Sequence, residues 1–74
     1  MNLIELKRGE QARVVSLAGG RGFVRNLENM GIRRGKIIEK LANQPAGGPL
    51  VIRIDNLTIT MGRGMAMKVL VEKI

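Results

Sequence analysis

One run of the sequence, LVIRIDNLTITM from Leu50 to Met61, constrains the fold more than any other stretch. Apolar residues alternate on both sides of Asp55-Asn56. A tight turn centred on that pair sets Ile54 opposite Leu57, Ile52 opposite Ile59 and Leu50 opposite Met61, all on one side of a two-stranded ribbon. Arg53 with Thr58 and Val51 with Thr60 take the other side. A slip of one residue would send the apolar row to water, so this register is strongly specified. The turn demands a positive φ, a role that suits Asn56.

A hairpin of this size is not stable alone and needs further strands or a helix to cover its apolar side. The chain has 74 residues, enough for one small domain over 1–74. Ordering it costs about 1.5 kcal/mol per residue, roughly 110 kcal/mol in all, so most of the aliphatic side chains must be buried. Cysteine is absent, and no disulfide framework can substitute for that core.

The remaining elements follow from local pattern. Gln11 to Leu17 (QARVVSL) is a β-branched stretch after a turn-like KRGE and reads as a first strand. In GFVRNLENMG, Phe23, Leu27 and Met30 recur at i, i+4 and i+7, one face of a helix of about ten residues that Gly31 ends as a left-handed cap, with Ile32 folding back. Lys36 to Ala42 reads as a second strand with Ile38 inward rather than Ile37. Asn43 to Pro49, with its two prolines and two glycines, is a loop. After the hairpin, Gly62 and Gly64 allow a sharp turn, Met65 to Lys68 has room for one helical turn, and Val69 to Glu72 forms a last strand. At least two of the methionines around this corner belong in the core, where an unbranched side chain fills irregular space. About five short strands with one helix after the first are best satisfied by a small, partly closed barrel whose open end the helix covers.

Residue inventory then limits function. His, Cys, Trp and Tyr are absent, Phe23 is the single aromatic, and the six carboxylates are scattered singly. Acid–base and nucleophilic catalysis lack their usual groups, and no imidazole, thiolate or carboxylate cluster offers a metal site. No enzyme activity, cofactor or metal is expected. Lysine and arginine number 13 against six acids, a net charge of +7 spread along the chain. That predicts a solvated basic exterior suited to an acidic partner. No apolar run reaches membrane-helix length, and MNLIELKRGE meets charge at Glu5 before a signal-peptide core could form, so a cytoplasmic location is expected.

Several segments in order carry a family likeness: the opening LIELKRGE, a glycine-led helix closing in LENMGIRRG, the loop AGGPLVIRI, and a hairpin running into a short turn and strand. Together they resemble the FeoA family, small accessory proteins of bacterial ferrous iron uptake with an SH3-like barrel. The resemblance implies a partner, the membrane ferrous iron permease with a GTP-binding domain, and a chain that neither carries the ion nor hydrolyses nucleotide. It would place the protein at the inner face of the membrane through that partner. Candidate contact residues are Arg21 and Arg25, one helical turn apart, and Pro45, Gly47, Gly48 and Pro49 of the loop, because loops and helix ends stay available when aliphatics face inward. Two alternatives stand beside this reading: a basic nucleic-acid-binding barrel, and a protein-interaction domain of an iron-responsive regulator.

Overall fold

The computed structural model describes residues 1–43 and 47–74. It contains β1 (Gln11–Leu17), α1 (Arg21–Asn29), β2 (Ile37–Asn43), β3 (Leu50–Ile54), β4 (Leu57–Met61), α2 (Arg63–Ala66) and β5 (Val69–Lys73). The strands form one antiparallel sheet in the order β4-β3-β2-β1-β5. Register shifts between Val14 and Ser16 and between Lys40 and Ala42 bend the sheet around its apolar side. The result is the expected mainly β, partly closed barrel.

Closure stops short because β4 and β5 end the sheet. The outer edge of β5 is covered by the start of the chain. Leu3 N–H donates to the Val69 carbonyl at 3.2 Å, Val71 N–H donates to the Met1 carbonyl at 2.7 Å, and Asn2 bridges to Leu70. Leu3 and Leu6 drop into the core from this segment.

The β3–β4 hairpin has the register its alternation specifies, with Leu50↔Met61, Ile52↔Ile59 and Ile54↔Leu57. Two details differ from expectation. The positive φ of the turn, 54°, belongs to Asp55 and not to Asn56. Leu57 is 55% exposed although its partner Ile54 is buried. The reason is position: β3 has a strand on each side, whereas β4 has a neighbour on one side only, and the apolar row thins out there.

Helix α1 ends as its sequence predicts. Gly31 adopts a φ of 93°, its N–H donates to the Glu28 carbonyl at 3.0 Å, and Ile32 N–H reaches the Leu27 carbonyl at 3.0 Å. These two bonds are a Schellman motif, with Ile32 buried as its apolar contact. The helix sets Leu27 into the core while Phe23 and Met30 pack against it half-buried. At the other end Gly19 has a φ of 108°, and a Cβ there would lie 3.0 Å from Phe23 Cδ2, so the approach to the helix needs glycine twice over.

Among the methionines, Met61 is 2% exposed and Met65 packs half-buried on the core, but Met67 is 56% exposed. The short α2 spans Arg63–Ala66, two residues earlier than the Met65–Lys68 turn expected, and turns Ala66 inward in place of Met67.

Candidate functional site

The basic exterior has one exception, which sequence reasoning missed. Lys40 is fully buried. Its Nζ donates to the carbonyl oxygens of Leu3 at 2.8 Å, Ile4 at 3.2 Å and Leu6 at 2.8 Å. Three acceptors match the three N–H bonds of an ammonium, so the cage is built for the charged form. Burial pushes this ammonium below the usual lysine range, and the nearby charge of Arg63 adds to the effect. The only available signal was strand periodicity: Lys40 stands two residues after the inward Ile38 and therefore shares its face.

The other cations lie outside. Lys36 pairs with Asp55 at 3.0 Å, Arg53 with Glu39 at 3.7 Å, and Lys73 with Glu10. Exposed pairs of this kind contribute little, because water and salt screen them. Lys73 and the backbone N–H of Lys7 nevertheless hold the Glu10 carboxyl below the usual carboxylate range. The first two pairs line a depression of about 400 Å³ together with Ile37.

The residues singled out from sequence fall at the helices and the loop. Arg21 and Arg25 are exposed on α1, on the side away from Phe23, with Glu28 exposed on the same helix. Neither arginine forms an ion pair among the described residues. Gly47 and Pro49 are exposed and Gly48 is half-buried just before β3, whereas Pro45 lies outside the described residues. The structure adds two cations to this set. The Arg63 side chain of α2 runs beside Gly47, where a Cβ would meet its Cδ at 3.8 Å. The Lys68 ammonium, just after α2, sits 4.8 Å from the centroid of the Phe23 ring. Lys68 thus joins α1 to the α2–β5 corner through a cation–π contact. It also occupies the ring of the single aromatic, which is half-buried and offers no open stacking platform.

Among the described residues there is no group of three or more His, Cys, Asp or Glu side chains placed to hold a metal ion, and no helix long and apolar enough to cross a membrane. What this arrangement can do is present positive charge from a rigid frame.

The profile of one family, described as the FeoA domain, matches residues 1–73. This chain belongs to the FeoA domain family. A relative from Methanocaldococcus jannaschii, named for Fe(2+) transport as its protein A, is 38% identical over 66 residues, which is 89% of this chain and 78% of that protein. A crystal structure of an iron uptake regulatory protein (FeoA) superposes with a TM-score of 0.92 at 31% identity, over 100% of this chain and 97% of the other. The zinc-complexed FeoA of Stenotrophomonas maltophilia, described as a procaryotic SH3 domain protein, gives a TM-score of 0.83 at 25% identity over 97% and 89% of the two chains. The SH3-like class read from the sequence is therefore that of FeoA domains. A manganese-dependent transcriptional repressor shares the fold at a TM-score of 0.90, with 20% identity and this chain spanning 41% of its length. That likeness concerns architecture alone.

Proposed function

We propose that this chain is a non-enzymatic accessory module of ferrous iron uptake that docks on the cytoplasmic portion of a membrane ferrous iron permease carrying a GTP-binding domain. The observation that carries the reading is family membership along nearly the whole chain, together with a relative named for Fe(2+) transport. The Stenotrophomonas FeoA, put forward as a ferrous iron transport activating factor, gives the same direction. Arg21 and Arg25, with the loop residues Pro45, Gly47, Gly48 and Pro49, are the proposed contact surface. Their charge would speed encounter with an acidic face more than it deepens affinity. The protein works in the cytoplasm, held at the inner face of the membrane by its partner.

Deleting the gene and measuring ferrous iron uptake, with crosslinking of the restored protein to the permease, tests this directly. Lost uptake that the wild-type chain restores, and crosslinks through α1 or the loop, are expected. Undiminished uptake after deletion, with no crosslink, would overturn the proposal.

The net charge of +7 favours a second reading, a nucleic-acid-binding barrel. With Phe23 covered by Lys68, such binding would rest on phosphate contacts. Binding that survives about 150 mM salt would support it, and loss of binding there would reject it.

A further inference from the structure

The two edges of the sheet are treated differently. The β5 edge is covered by Met1 to Leu3. The β4 edge pairs with nothing among the described residues, and its sequence LTITM contains no charge, proline or glycine. Its ladder to β3 is regular, without the register shifts seen in β1 and β2. Edge strands are ordinarily protected by charges, proline, bulges or a covering segment, and among the described residues β4 has none of these.

We propose that β4 is a self-association edge, pairing antiparallel with β4 of a second copy about a twofold axis at Ile59. The two-residue turn makes Ile54↔Leu57 a hydrogen-bonded pair, so alternation along the strand turns the N–H and C=O groups of Thr58 and Thr60 outward. A twofold at Ile59 sets Thr58 of one copy opposite Thr60 of the other, and each such pair exchanges two hydrogen bonds. It also sets Leu57, 55% exposed in the single chain, opposite Met61 of the other copy on the apolar side.

Charge selects this register. Asp55, in the turn and paired with Lys36, and Arg63, the first residue of α2, stand four residues to either side of Ile59, so just beyond each end of the shared ladder a carboxylate of one copy comes toward a guanidinium of the other. A twofold at Thr58 would instead bring Asp55 toward Met61 of the other copy, and one at Thr60 would bring it toward Met65. Two chains of +7 repel each other, and this complementarity lies where the contact forms.

Sedimentation across micromolar to millimolar protein, with amide exchange at single-residue resolution, tests the edge. A concentration-dependent rise to twice the chain mass is expected, together with protection that grows with concentration at the Thr58 and Thr60 amides. Thr58→Lys/Thr60→Lys should abolish both changes while leaving the monomer folded. Because those substitutions could perturb β4 itself, Arg63→Glu supplies a second arm: it opposes Asp55 with a like charge and should weaken the dimer at least several-fold at low salt. A monomer at every concentration overturns the proposal and leaves the edge to a foreign strand. A dimer whose Thr58 and Thr60 amides stay unprotected overturns it as well.

Discussion

The Lys40 ammonium donates to the Leu3 carbonyl at 2.8 Å across a sequence separation of 37 residues. With the carbonyls of Ile4 and Leu6, that bond ties the segment covering the β5 edge to the second strand of the barrel. A buried charge is ordinarily unfavourable, and here backbone acceptors offset its desolvation.

Lys40→Met therefore removes three hydrogen bonds and leaves three backbone acceptors facing an apolar side chain. A loss of at least about 2 kcal/mol of stability is expected, read from the urea midpoint. The Leu3 amide should also exchange faster than in the wild type. A change below about 0.5 kcal/mol would show that the N-terminal turn holds without the lysine.

The methionines separate by burial. Met61→Ala should cost about 2–5 kcal/mol because it empties core volume beside Leu50. Met67→Ala, at an exposed site, should fall within about 0.5 kcal/mol of wild type. Thermal unfolding of the two variants in parallel checks the contrast.

Gly31 has open space where a Cβ would go, so a substitution there tests backbone strain alone. Gly31→Ala must hold a φ of 93° and should lower stability by about 1–2 kcal/mol. Gly22, inside α1 with no neighbour within 4 Å of its Cβ position, provides the opposite case. Gly22→Ala should raise stability by about 0.5–1 kcal/mol.

The Glu10 carboxyl is held low by Lys73 and the Lys7 backbone N–H. A carboxylate with a folded pKa below its unfolded one binds fewer protons when folded. Its contribution is full above the unfolded pKa and disappears as pH falls through the folded value. Denaturant midpoints should consequently decline on acidification below the usual carboxylate range, and Glu10→Gln should flatten part of that decline. An unchanged slope in the variant would remove Glu10 as its source.

Local chemistry made much of this fold readable. The alternation around Asp55-Asn56 specified every pair of the β3–β4 ladder, and Phe23, Leu27 and Met30 with Gly31 specified the helix face and its stop. Both signals depend on residues within a few positions of one another. The candidate surface was legible only as charge: Arg21 and Arg25 are exposed as expected, but the parts played by Arg63 beside Gly47 and Lys68 over Phe23 join segments distant in the chain.

By itself, then, the sequence determined the strands, the helix, their caps and the excess of positive charge, because hydrophobic period and turn chemistry act over short distances. Tertiary structure alone decided that Lys40 is interior, that Leu57 stands exposed on an edge, and that Ala66 turns inward while Met67 does not. Each of those outcomes depends on which segment arrives from far along the chain to cover a side chain or to supply its hydrogen-bond partner.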